Sequence, residues 1–121
     1  MSRRRLDLGA RGEELAARWY EGRGYTVLHR NWRCREGELD LVLGRADTVV
    51  FCEVKTRAST AFGVPAEAVT ALKQQRLRRL AMRWLAERPA GSGWADLRFD
   101  VACITARPGA EPELEVIEAA F

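Results

Sequence analysis

The chain has 121 residues, 47% hydrophobic and 31% charged, with a formal net charge of +3. That balance suits one globular domain, 1–121, able to bury roughly two-thirds of its unfolded surface. No apolar run approaches the ~20 residues of a membrane span, and MSRRRLDLGARGEE has arginines but no apolar core, so it does not read as a signal peptide.

Leu8, Leu15, Ala16, Trp19 and Tyr20 recur at helical spacing and predict a helix over 7–23, with Asp7 as N-cap and Gly24 as stop. YTVLHRNW, 25–32, is rich in β-branched and aromatic residues and reads as a strand. A hairpin follows, with strands near 38–43 and 49–55. Residues 56–68 form a loop punctuated by Gly63 and Pro65. A second helix is predicted from about Thr70, its N-cap, to Glu87, with an apolar stripe of Val69, Leu72, Leu77, Leu80, Ala81, Trp84 and Leu85. Pro89 and Gly91 end it. LRFDVACIT, 97–105, is a mostly apolar strand. Pro108, Gly109 and Pro112 mark a turn, and 113–120 is a weaker last strand. The order is αβββαβ with a terminal strand added. The fold class is α/β, a mixed central sheet flanked by helices.

The sequence has a single histidine, His29, which leaves no basis for a histidine triad or a zinc site. It contains neither GxxxxGK[ST] nor GxGxxG. Cys34, Cys52 and Cys103 are odd in number and lack CxxC spacing. They read as reduced thiols of a cytoplasmic protein, Cys52 and Cys103 packing as small hydrophobes in strands. Charge is uneven along the chain: residues 1–36 carry +4, 37–55 carry −2, 56–88 carry +5 and 89–121 carry −4. An acidic centre between basic stretches suits a polyanion brought to a metal, and equally suits ordinary solvated helix faces.

Within the hairpin, Asp40, Glu53 and Lys55 lie among Leu, Val and Phe. Burying unpaired charge costs several kcal/mol, so such residues ask for a reason. Strand alternation puts Glu53 and Lys55 on one face. A four-residue turn pairs even positions with odd ones and puts Asp40 on that face too. Two carboxylates there can chelate a hard divalent cation, and Mg²⁺ needs only one or two of them. The alternative is a structural ion pair centred on Lys55. Eighteen of the twenty basic residues are arginine, and only Lys55 and Lys73 are lysine. A surface ion pair accepts arginine, whereas a compact ammonium beside a reacting water does not exchange so easily.

GELDLV followed by FCEVKTR resembles the catalytic hairpin of the PD-(D/E)xK nuclease superfamily. That superfamily includes restriction endonucleases and archaeal Holliday-junction resolvases, and its core order is αβββαβ. More closely, the whole chain resembles the YraN-like family of small bacterial proteins. The matching stretches are ARGEELAARWYEGRGY, LHRNWR, GELDLV, FCEVKTR, FGVPAEAVTALK and RFDV, which cover most of it. The resemblance implies a Mg²⁺- or Mn²⁺-dependent DNA endonuclease, with branched or junction DNA among its substrates. Asp40 and Glu53 would be metal ligands with the Val54 carbonyl between them, Lys55 would orient or activate the attacking water, and Glu13, or else Glu14, would join from the first helix. Through the resolvases it also implies a homodimer. Leu39 stands where the family usually has Ile, and the residue before Asp40 is not the proline common in the superfamily; neither removes a catalytic group.

Glu38 shares the Asp40 face, as an outer partner of the site or as a plain charge at the strand mouth. Lys73, Arg76, Arg79 and Arg83 line one side of the second helix and, with Arg57, are the candidate phosphate contacts; a solvated face is the alternative. Arg3, Arg4 and Arg5 read either as a phosphate-gripping arm or as a disordered tail, and Gln74 offers a place at the site rim. Trp19, Trp32, Trp84 and Trp94 read as core. The competing functions are a nucleic-acid-binding module that does not cleave and, after it, a structural or adaptor protein whose hairpin charges are ion pairs.

Overall fold

The computed structural model describes residues 3–58, 69–89 and 93–121, and side chains from Gly9 onward within them. In chain order the elements are α1 (Arg3–Glu21), β1 (Thr26–Cys34), β2 (Gly37–Arg45), β3 (Thr48–Arg57), α2 (Ala71–Ala86), β4 (Asp96–Thr105) and β5 (Glu113–Ile117). This is the expected αβββαβ order with its terminal strand. No helix among the described residues is long and apolar enough to cross a membrane. Gly63, Pro65 and Gly91, read above as breakers, lie outside the described residues, as do the side chains of Arg3, Arg4 and Arg5.

The five strands form one sheet in the order β1-β2-β3-β4-β5. β1, β2 and β3 are antiparallel neighbours, β3 and β4 run parallel, and β5 returns antiparallel on β4. The parallel step is made by α2, as a crossover requires. Helices cover both faces. On one, Ala16, Ala17 and Tyr20 of α1 pack with Leu41, Leu43, Val50, Cys52 and Ala102. On the other, Leu77, Leu80, Ala81 and Trp84 of α2 pack with Val42, Val49, Phe51, Phe99 and Val101. Strands covered on both sides need apolar residues at every position, which is why LVL, VVFC and VACI run unbroken.

Several boundaries differ from the pattern-based expectation. α1 begins at Arg3, so Asp7 lies inside the helix and is not its cap; arginine and leucine are good helix formers and carry it further back. Gly24 does end the turn after α1, with φ +87°. Thr70 caps α2, its hydroxyl accepting the Lys73 N–H at 3.2 Å. Leu72 is 69% exposed. At about 100° per residue it lies roughly 80–140° round the helix from Leu77, Leu80 and Trp84, to one flank of their stripe. β5 stops at Ile117 because Ala119 adopts φ +51° and turns the chain. The Ala120 N–H then bonds the Phe99 carbonyl, and Phe121 stacks on Phe99.

Asp100 is a buried charge that the sequence reading did not single out. It is fully buried. Its carboxylate accepts from Tyr20 Oη at 2.6 Å, twice from Arg98 at 2.8 Å, and from the Ala119 N–H at 3.0 Å. Its acceptor positions are therefore filled, and the network ties α1, β4 and the C-terminal turn together. Burial, with Cys52 and Asp100 beside it, pushes the Tyr20 hydroxyl far up, so it remains a donor.

Candidate active site

The site grows from a break in the hairpin. The β2–β3 turn holds two residues, Ala46 and Asp47, with Arg45 paired to Thr48. A two-residue turn has the same parity as the expected four-residue one, so the register rule survives. What changes is the strand itself. The β2–β3 ladder ends at Leu41↔Cys52. On its other side, β1 pairs Arg30 with Leu41 and Trp32 with Leu39, and Asn31, opposite Asp40, has φ +50°. Leu39 packs in the α2-side core and Leu41 in the α1-side core, although they are two residues apart and strict alternation puts them together. The strand therefore changes sides at Asp40.

Asp40 consequently does not stand beside Glu53 and Lys55 in a regular ladder, as the parity argument expects. Its carboxylate drops into the opening between β2 and β3, where Oδ2 accepts the Val54 N–H at 2.9 Å. From there it meets α1. One oxygen each from Glu13, Glu38 and Asp40 lie within 4.8 Å of one another. A cleft of about 430 Å³ opens over them, lined by Gly9, Glu13, Asp40, Val54, Thr56, Arg57 and Ala58. Its floor depends on Gly12, where a Cβ would lie 2.3 Å from Thr56 Oγ1. Only glycine lets α1 come this close to β3 and bring Glu13 within range of Asp40.

The two adjacent glutamates of α1 have separate roles. Glu13 lines the cleft and accepts from Asn31 Nδ2 at 3.1 Å. Glu14 is engaged by Arg18 at 3.1 Å and Arg30 at 2.9 Å, and those hydrogen bonds hold its carboxyl below the usual range. Glu38, left between two readings above, joins the carboxylate group and accepts from Arg33 at 2.9 Å.

Glu53 and Lys55 are on the other side of β3. Val54 and Thr56 point to α1, so their neighbours in the strand point to α2. Glu53 is 8% exposed. Its Oε1 is 2.7 Å from Lys73 Nζ and 3.5 Å from Lys55 Nζ. Burial, together with the Lys73 ammonium, lowers the pKa of Lys55. Burial works against the Lys73 charge as well, but its bond to Glu53 leaves that pKa above the ordinary value. The two lysines share one oxygen, and Lys73 is the closer. Lys73 thus turns inward and is not part of an outward basic stripe.

Asp40 feels both groups. Burial, then the charge of Glu53, raise its pKa to about 7 against the opposing Val54 N–H, with Glu13 and Glu38 adding to the rise. Carboxylates so gathered hold either a proton or a cation. The donors are hard oxygens, which fits Mg²⁺ or Mn²⁺.

The remaining phosphate candidates divide. Arg83 Nη1 donates to both carboxylate oxygens of Glu36 and is occupied there. Arg76 and Arg79 are exposed on α2. Arg57 lines the cleft and donates to Cys103 Sγ at 3.3 Å. Gln74 caps the Val69 carbonyl at 3.1 Å. Trp84 is core, with its Nε1–H on His29 Nδ1 at 2.9 Å, and Trp94 lies over Gly44.

Fold and site together define a three-layer α/β protein with an acidic cleft at the mouth of a split hairpin and a lysine pair behind it. The chain belongs to the Uncharacterised protein family UPF0102, whose model matches residues 12–104. It is similar to a UPF0102 protein of Nocardia farcinica, 52% identical over 114 residues, which span 94% of this chain and 88% of the relative. A UPF0102 protein of Beutenbergia cavernae is 57% identical over 104 residues, 85% of this chain and 86% of the relative. One of Clavibacter michiganensis is 50% identical over 117 residues, 97% and 98%.

Proposed function

We propose that this protein is a metal-dependent endonuclease of the PD-(D/E)xK type that hydrolyses DNA phosphodiester bonds, branched or junction DNA included, in the cytoplasm. The observation that carries the reading is the convergence of Glu13, Glu38 and Asp40 at a cleft whose far wall is the strand bearing Glu53 and Lys55. Asp40 and Glu13, gathered with Glu38 at the cleft, are the residues that would hold Mg²⁺ or Mn²⁺ with the Val54 carbonyl, and Glu53 would join them by turning from Lys73 across the split. A divalent cation held there supplies Lewis acidity toward a phosphoryl oxygen.

The chain's own groups do the rest. The Val54 N–H fixes the Asp40 carboxylate at the split. Lys55, its pKa lowered by burial, orients a water for in-line attack and takes part in moving its proton. Arg76 and Arg79, exposed on α2, grip phosphates to either side.

The test is cleavage of labelled linear, single-stranded, flap and four-way-junction DNA in Mn²⁺ by wild type, Lys55→Arg and Asp40→Asn. Wild type should cut. Lys55→Arg should keep metal binding and lose roughly 10²-fold or more in rate, because a planar guanidinium cannot take the ammonium's place. Asp40→Asn should lose both. Equal cutting by Lys55→Arg would refute the role given to Lys55. DNA binding with no cleavage by any of the three would make the protein a nucleic-acid-binding module.

A further inference from the structure

Eighteen arginines and two lysines supply the basic residues of this chain, and both lysines are set against the same carboxylate oxygen, Glu53 Oε1. Lys55 follows Glu53 by two residues in β3, so its nearness is a consequence of the strand. Lys73 comes from another element, eighteen residues beyond Lys55, and is nevertheless the closer at 2.7 Å against 3.5 Å. It stands in the first turn of α2, where the helix dipole disfavours a cation and where no acidic residue offsets it. Its side chain is 31% exposed, so it is drawn in rather than left in solvent. A cation in an unfavourable position, in a two-ammonium arrangement on one oxygen, asks for a function that a surface arginine could not serve.

We propose that Lys73 is a positioning residue: it is the resident counter-ion of Glu53, and its ammonium and a divalent cation exclude each other at Glu53 Oε1. The inference rests on the endonuclease reading and deepens it. With the cation absent, Lys73 neutralises Glu53 and keeps it from adding further to the repulsion around Asp40. When Glu53 turns to a cation, it gives up Lys73 as its counter-ion. Arginine, a broad planar fork in place of a compact ammonium, packs less readily beside Lys55 on one oxygen.

Mn²⁺ binding to the full chain, measured by calorimetry in the absence of nucleic acid, tests this. Removing a competing unit charge about 3 Å from the ligand oxygen, in a partly exposed position, should tighten Mn²⁺ binding by about tenfold in Lys73→Met. Lys73→Gln should move in the same direction and stands in if the methionine variant melts too low. In a Glu53→Gln background, Lys73→Met should have no effect. If wild type binds Mn²⁺ and Lys73→Met or its stand-in binds it within twofold, the proposal fails while the endonuclease reading stands. A tightening that persists in the Glu53→Gln background would also overturn it, since the effect would then be long-range charge rather than exchange at Glu53. Wild-type protein that binds no Mn²⁺ would overturn both.

Discussion

Replacing Asp40 by Asn should stabilise the metal-free protein at neutral and alkaline pH. The carboxyl is held in the split hairpin with a pKa of about 7, raised first by burial and then by the charge of Glu53. In the unfolded chain it returns to about 3.8. The folded state therefore takes up the proton more readily than the unfolded one, and folding loses stability as pH rises from about 4 through 7. Three pH units correspond to about 4 kcal/mol at most, each unit being about 1.4 kcal/mol. Coupling to Glu53 and the cost of leaving an amide half-buried reduce this, so about 2 kcal/mol is the expected gain for Asp40→Asn at pH 8. Asn keeps an oxygen to accept the Val54 N–H, so the geometry at the split should hold. For a chain of this length that gain is roughly 8 °C in Tm. The assay is thermal unfolding in chelator at low salt between pH 5 and 8.5. Wild type should melt higher at pH 5.5 than at pH 8, and the variant should flatten that slope. Mn²⁺ should raise the Tm of wild type and leave the variant almost unmoved. A variant that melts no higher than wild type at pH 8, with the same pH slope, would refute the picture of Asp40 as a strained carboxylate waiting for a cation.

Gly12→Ala should destabilise the fold by about 1–3 kcal/mol, because its Cβ would meet Thr56 Oγ1 at 2.3 Å; Thr56→Ala should restore part of that loss in a double-mutant cycle of denaturant melts. Arg76→Glu with Arg79→Glu should weaken DNA binding whatever the base sequence and make its salt dependence shallower, as read by fluorescence anisotropy over a salt series; unchanged binding would make this side of α2 a solvated face. Arg83→Glu, by contrast, should act on stability, since Arg83 is already paired with Glu36.

Elements and their order were legible because they are written in local pattern. Helical spacing in 70–87 and continuous apolar runs in β2, β3 and β4 admit few arrangements once a helix must cover each face. The unusual placement of Asp40, Glu53 and Lys55 inside strands also marked the hairpin before any fold was known. Three features were not legible there. The side change at Asp40 depends on a left-handed Asn31 in a neighbouring strand and on where the β2–β3 ladder gives out. The choice of Glu13 over Glu14 depends on which of two adjacent side chains Arg18 and Arg30 reach first, and on Gly12 letting α1 settle onto Thr56. Lys73 read as one of four outward cations because helix spacing alone cannot show that Glu53, twenty residues earlier, points at it. Alternation and periodicity state which face a residue occupies on its own element. The distance between faces of different elements follows from packing, and the carboxylate and ammonium fields at this site are set by those distances.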